Sequence, residues 1–406
     1  MDKTFDLLLQ GVNLFDSASN ADVGIRDGKI AAVEGNIPPQ AAAEAFDFRG
    51  KLLIPGFVDS HTHLDKALTI QDEEADGLVD AVNLFRNYQN RIPKGKIAED
   101  VKRRAARVLD MEIVHGTTCV KTHVLCDEVW GMESVYALDE LRREYAGRIT
   151  LQLIVPWCEA NAEELDRACR KGLIDYFAGY AHLCDDFRAE LDGIFSRGEK
   201  YGIPLDLHVN ESDVGNIDEF LYIQQKTMNL HMEGRVNCSH VTAMCAVDDE
   251  TAQKGIELAE RARTNIITLP SCNMYLMGRH DRQPVRRGVT RVREFLQAGV
   301  NVAYASDNIR DPFRPFGNGD MLEEGLFTAQ VLQYGTASKL AEVLRMGTFR
   351  AARNAHLSDY GLTAGCTADL AVLDAETPRE ALVTRAQRLL VLKKGRVVSR
   401  NGILVL

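Results

Sequence analysis

The chain has 406 residues, 45% of them hydrophobic and 26% charged, with a formal net charge of -11. That length and apolar content suffice for a large buried core. The acidic balance, with no long basic run, excludes a general nucleic-acid binder, which needs a basic face. The nine cysteines contain no CxxC pair, which argues against a zinc ribbon or a disulfide framework and suits reduced thiols in a cytoplasmic enzyme.

The N-terminal run Leu7-Leu8-Leu9 ends at Gln10-Gly11, too short for a signal-peptide core or a membrane span. No membrane partner is expected. Residues 1–55 read as short strands with turns: Phe5–Leu9, Asp22–Ile25, then Lys29–Val33 after the turn Asp27-Gly28. The C-terminal end has the same style, with strands over 369–374, Leu389–Leu392 and Arg396–Val398. The two termini, residues 1–55 plus 360–406, therefore predict one small β-sandwich domain.

Residues 56–359 alternate apolar strands with amphipathic helices. The apolar run Leu52–Val58 reads as one buried strand leading into His61-Thr62-His63. Eight strands are expected, at Val58–His61, Cys119–His123, Thr150–Val155, Tyr176–Tyr180, Leu205–His208, Arg235–His240, Asn265–Leu269 and Asn301–Ala305. Helices are expected between them, among them Ala98–His115, Glu163–Lys171, Arg188–Tyr201, Ile217–Gly234, Asp249–Arg263 and Val289–Gly299. Several end at a glycine, as helix C-termini prefer. This α/β alternation predicts a (β/α)8 TIM-type barrel of about 300 residues. A doubly wound sheet is disfavoured because no GxGxxG follows the first strand.

In such a barrel, functional side chains belong at the C-terminal strand ends. Strand one ends in His61-Thr62-His63, whose two imidazoles share one side of the strand and converge as metal ligands must. Strand five ends in His208-Val209-Asn210-Glu211, strand six in His240, and strand eight in Asp307-Asn308. Singly, each has a plain structural account: a core histidine, a loop hydrogen bond, a helix cap, a solvated carboxylate. Together, at the face where chemistry is expected, they point to a metal site.

The stretches His61-Thr62-His63-Leu64-Asp65, His208-Val209-Asn210-Glu211, 239–244, 273–279, 286–292 and Asp311-Pro312-Phe313 resemble the amidohydrolase superfamily over nearly the whole chain. The branch resembled is that of the cytosine deaminases. The segments 306–311 and 315–321 also look like the N-isopropylammelide isopropyl amidohydrolases, triazine N-dealkylases.

The resemblance implies one divalent ion, Zn2+ or Fe2+, held by His61, His63, His208 and Asp307. A single ion is implied because strand four, Asp175–Tyr180, lacks the lysine of the binuclear members. Catalytic roles would fall to Glu211 as proton shuttle, His240 as donor to the attacking oxygen, and Asp307 as proton acceptor. Substrate contacts would fall to His123, Trp157, Cys158 and Asn308. Cytosine deaminases carry Gln where Cys158 stands and Asp where Asn308 stands, so the expected substrate widens beyond cytosine. The expectation is release of ammonia from an exocyclic amine on a small nitrogen heterocycle, a cytosine- or isocytosine-like pyrimidine or an aminotriazine. The alternatives are alkylamine release from an N-substituted aminotriazine, or creatinine deamination. Relatives of this kind imply a homo-oligomer. Asp65 and Lys66 are expected to pair at the entrance, and His182 to be surface or structural.

Overall fold

The computed structural model describes residues 3–15, 20–70 and 72–405. Eight parallel strands form one sheet in sequence order: β1 (Phe57–Thr62), β2 (Thr117–His123), β3 (Thr150–Pro156), β4 (Tyr176–Gly179), β5 (Leu205–Val209), β6 (Val236–His240), β7 (Asn265–Thr268) and β8 (Asn301–Tyr304). The sheet curves back on itself, and β1 meets the end of β8 where the Asp307 amide donates to the His61 carbonyl at 2.8 Å. These strands are buried throughout most of their length, as both faces of a barrel strand must be. The expected α/β barrel is thus the observed fold.

Helices close the outside. Phe187–Tyr201 shows why its residues form one: the Asp186 carboxylate caps it by accepting from the Arg188 and Ala189 amides, and Gly202 ends it at φ 68°. The helix expected over Ile217–Gly234 stops at Asn229, because His231 takes a left-handed turn at φ 50°. Val292–Gln297 begins three residues later than expected. Helix Leu78–Arg91, preceded by Gly77 with no side-chain cap, was not anticipated. It lies between β1 and the helix Ile97–Val114.

The terminal segments build a separate mixed sheet of nine strands. Leu52–Pro55 lies at its middle, between Leu370–Leu373 on one side and Phe5–Leu14 on the other. The sheet folds over, and Ile30 and Ala368 close the far edge through Ile30 N–H to Cys366 O and Ala368 N–H to Gly28 O, both 2.9 Å. Leu9, Val23 and Ile25 of one half then share a core with Leu370, Leu390 and Leu392 of the other. The first strand runs on to Leu14, past the expected end at Leu9, because Gly11 forms a bulge at φ 67° rather than a turn.

The apolar run Leu52–Val58 is not one strand. Leu52–Pro55 pairs with Leu370–Leu373 in the small sheet, and β1 starts afresh at Phe57. The break falls at Gly56, where a Cβ would sit 2.2 Å from Thr118 Cγ2, so no other residue fits the approach of the two sheets. The domains are tied by buried cations: Arg388 Nε donates to His115 O at 2.8 Å, and Lys393 Nζ to Thr118 O at 2.9 Å.

Candidate metal centre and active site

β1, β5, β6 and β8 deliver His61, His63, His208, His240 and Asp307 to one end of the barrel, all buried. The His63 Nε2 lies 3.3 Å from Asp307 Oδ1 and 3.4 Å from His208 Nε2, and His61 Nε2 lies 3.6 Å from the same Asp307 oxygen. Burial, as the leading cause, holds His61, His63 and His208 well below the ordinary imidazole range. They are neutral donors, which is the protonation state a metal ligand requires.

His61 Nε2, both oxygens of Asp307 and His240 Nε2 have no hydrogen-bond partner although they are buried. Buried polar atoms without partners are costly. A cation at the centre would satisfy His61 and Asp307 together, so the residues present fit a divalent ion. Two overlapping groups of ligand atoms each lie within 4.8 Å: His61, His63 and Asp307, and His61, His123 and His208. His123 is therefore closer to the centre than a substrate contact need be, its ring centroid being 4.2 Å from that of His61 and 4.4 Å from that of His208.

The backbone is strained where the chemistry sits. Asn210, His240 and Asp307 take positive φ of 46°, 67° and 61°, a conformation ordinary side chains avoid and functional strand ends often adopt. Arg314 holds the Asp307 turn. Its buried guanidinium donates to Ser306 O at 2.8 Å and Asn308 O at 3.4 Å, on either side of Asp307, and is itself anchored on Glu324 at 2.8 Å.

A second support lies beneath His61. His61 Nδ1 is 2.9 Å from Ser239 Oγ, and that hydroxyl donates to Asp206 Oδ1 at 3.5 Å. The hydroxyl, donating downward, accepts a hydrogen bond from His61 Nδ1–H, which leaves the Nε2 lone pair facing the centre. Asp206 is fixed by Lys121 Nζ at 2.5 Å and Asn237 Nδ2 at 2.8 Å. Ser239, Asp206, Lys121 and Arg314 escaped the sequence reading, although Asp206 and Ser239 are polar residues inside fully buried strands.

Glu211 Oε1 lies 3.3 Å from His240 Nδ1, and Asn273 Nδ2 lies 3.0 Å from the same nitrogen. Burial first, then the charge of Asp307, raises the Glu211 carboxyl above its ordinary range against the opposing pull of His240. A carboxyl so raised and so placed is suited to hold and return a proton.

A cleft of about 830 Å³, part of it open to solvent, covers these groups, and its wall includes His63, His208, Glu211, His240, Asp307 and Asn308. Asn308 Nδ2 donates to Asp311 Oδ2 at 2.6 Å. Trp157 and Cys158 do not line this cleft. Trp157 packs against Tyr201 at 6.3 Å and bonds Glu159 through its indole N–H at 2.8 Å, beside a separate outer groove, while Cys158 accepts from Asn161. The chain turns outward there through the short helix Glu159–Asn161. Asp65 does not pair with Lys66; it accepts from the Leu125 amide at 2.8 Å, and Lys66 lies over the Phe313 ring. His182 belongs to the cleft wall with its side chain 8% exposed, neither ring nitrogen hydrogen-bonded and Nδ1 4.0 Å from Glu219 Oε1.

A parallel barrel with three neutral histidines and an aspartate converging at its mouth presents a donor set that could hold a divalent ion where barrel enzymes place their chemistry. The model of the amidohydrolase family matches residues 98–399, and the chain belongs to that family. It is accordingly a hydrolytic enzyme of C–N bonds. It is 28% identical over 424 residues to N-isopropylammelide isopropyl amidohydrolase of Pseudomonas sp. (strain ADP), covering 100% of both chains. It is 30% identical to pterin deaminase of Rhizobium rhizogenes, over 94% of this chain and 88% of the relative. The solved 5-methylcytosine deaminase from Klebsiella pneumoniae, liganded with 5-fluorocytosine, superposes with a TM-score of 0.90 at 28% identity, covering 98% of each chain. Among the described residues no helix is long and apolar enough to cross a membrane.

Proposed function

We propose that the enzyme is a hydrolytic deaminase that removes an exocyclic amine as ammonia from a small nitrogen heterocycle. One ion, zinc or iron, would be held by His61, His63, His208 and Asp307. The observation that carries this reading is the Glu211–His240 pair, 3.3 Å apart, on the wall of the same cleft as His63, His208 and Asp307. When bound, the ion lowers the pKa of water toward neutrality, to about 7 in the best-known zinc sites. Asp307, with both oxygens free of hydrogen bonds, can take a proton from the incoming water. Glu211 passes a proton to a ring nitrogen as water adds at the carbon bearing the amine, then helps protonate the leaving amine. His240 Nε2, also unpartnered, supports the oxygen that becomes the carbonyl. Water and the amine thereby become a ring carbonyl and ammonia.

Two features support one ion rather than two: β4, Tyr176–Gly179, carries no lysine, and the two ligand groups share His61. The 28% identity to a triazine N-dealkylase over its full length supports a second reading, release of an alkylamine from an N-substituted aminotriazine. The same proposal places the protein in the cytoplasm as a homo-oligomer, consistent with nine free cysteines; sedimentation tests the assembly. The deciding experiment loads the purified protein with zinc or ferrous iron and screens aminopyrimidines, aminotriazines, aminopterins, N-alkylaminotriazines and creatinine for released ammonia and alkylamine. Ammonia release that chelation abolishes and metal restores supports the first reading, and alkylamine alone supports the second. Metal-loaded protein that releases neither overturns both.

A further inference from the structure

The cleft over the metal-site residues contains two cations without a matching acid. Lys66, three residues past the His-x-His strand end, is 7% exposed and lies on the cleft wall with its ammonium 4.7 Å above the Phe313 ring. Among the described residues its Nζ has no hydrogen-bond or ion-pair partner. Arg86, on the helix Leu78–Arg91, faces the same cleft, is exposed, and likewise has no partner among the described residues.

The acids of the wall are otherwise engaged. Asp127 is filled by the Gln89 amide at 2.8 Å and by the N–H groups of Val129 and Trp130 at 2.9 and 2.8 Å. Glu211 answers His240, and Asp307 faces the histidines. The charge of Lys66 is felt at Asp65, Glu211 and Asp311, yet none of them closes on it. A buried ammonium lacking a counter-ion is expensive, and the fold retains this one at the wall of the cleft over the metal-site residues. A charge held ready in this way is compensated when an anion enters.

We propose that the substrate is an anionic heterocycle, with an oxyanion held by Lys66 and Arg86 while its amine faces Glu211 and His240. Val82 and Phe85, on the same helix face as Arg86, supply apolar surface for the ring. This names the substrate class of the site proposed above and rests on that reading. The oxyanion can be a carboxylate substituent or an ionised ring hydroxyl, and the assay separates the two.

The test uses matched aminopyrimidines, aminotriazines and aminopterins in three forms: neutral, carboxylated, and bearing a ring hydroxyl that ionises below neutrality. With the metal-loaded enzyme, one of the two anionic forms is expected to exceed its neutral twin in kcat/KM by at least about tenfold, mostly through KM. Arg86→Gln and Lys66→Met should each shrink that ratio severalfold. Arg86 is exposed, so R86Q keeps the test valid if K66M misfolds. Neutral compounds turned over equally well or better, or an unchanged ratio in R86Q, overturn the proposal. Should no compound be hydrolysed, the deaminase reading fails by itself. Calorimetric binding of the matched carbonyl products, anionic against neutral, then decides the anion site: preference for the anion that R86Q reduces supports it, and equal binding rejects it.

Discussion

Two layers of this barrel bury polar side chains to the same depth and treat them in opposite ways. At the floor, Asp206, Asn237, Asn265 and Asn301 occupy neighbouring register positions on β5 to β8. Their side chains form a ladder with successive bonds of 2.8, 2.8 and 3.0 Å, ending on the Arg350 carbonyl at 3.0 Å. One layer up, at the mouth, His61 Nε2, His240 Nε2 and both Asp307 oxygens have no partner. A satisfied layer rigidifies a fold, and an unsatisfied one is tolerated where a ligand completes it. The floor therefore serves the geometry and the mouth serves the chemistry. Ser239 links them, since it touches Asp206 below and His61 above, and His123 spans the same gap, 3.4 Å from Asp206 and packed on the His61 and His208 rings.

The comparison breaks most visibly if a mouth residue is removed. His208→Ala should leave a folded barrel that no longer retains stoichiometric metal, read by elemental analysis after desalting, because the floor is untouched. Loss of the fold rather than of the metal would mean that the mouth carries structure after all. Glu211→Gln should keep the metal and lower kcat by about 10²–10⁴, the usual weight of a positioned acid–base group. Near-normal turnover in that variant would remove the proton-shuttle assignment.

Between the layers the effect should be mixed. Ser239→Ala frees the His61 ring to rotate and should cost about 10–100-fold in metal affinity, measured by chelator competition, with little change in melting temperature. Asp206→Asn strikes the floor itself. It strands the Lys121 ammonium, which is fully buried, and should destabilise the protein by about 3–5 kcal/mol in denaturant titration.

How far the sequence disclosed these layers follows from their geometry. His61, His63, His208, His240 and Asp307 were legible because each closes an apolar strand, and a barrel forces strand ends together. Arg314 was not, since its contact with the Asp307 turn depends on the path of the loop 308–314. Neither was the helix Leu78–Arg91, which brings Arg86 and Gln89 over the cleft from a segment with weak end signals. Trp157 and Cys158 follow β3 at the expected place, but the turn at Glu159–Asn161 carries them to the outer side. The Gly56 break was hidden because apolar residues run on through it, and only the crossing of two sheets shows why a glycine stands there.

Acid should separate the floor from the mouth. Burial alone would raise the Asp206 carboxyl, but the Lys121 ammonium and then the His123 ring beside it hold it at about 2, against an ordinary 3.8. A depressed folded pKa contributes stability that is complete above the ordinary value and disappears as pH falls through the folded one. Metal-stripped wild-type protein should therefore lose about 2 kcal/mol relative to D206N as pH falls from about 4 to 2. A constant gap between the two proteins would show that Asp206 is not held ionised by its neighbours.

The smallest effect tests whether the ladder acts as one unit. Asn301 is its last rung, its side-chain amide bonded, among the described residues, to Asn265 and the Arg350 carbonyl, and lies three strands from Asp206. Asn301→Ala should cost about 1 kcal/mol, the net worth of an ordinary hydrogen bond, and combined with D206N it should be additive if the rungs are independent. A coupling of about 0.5 kcal/mol or more in that double-mutant cycle would show that the floor transmits along its length. The position of His61 would then depend on residues spread along β5 to β8 as well as on Ser239 beneath it.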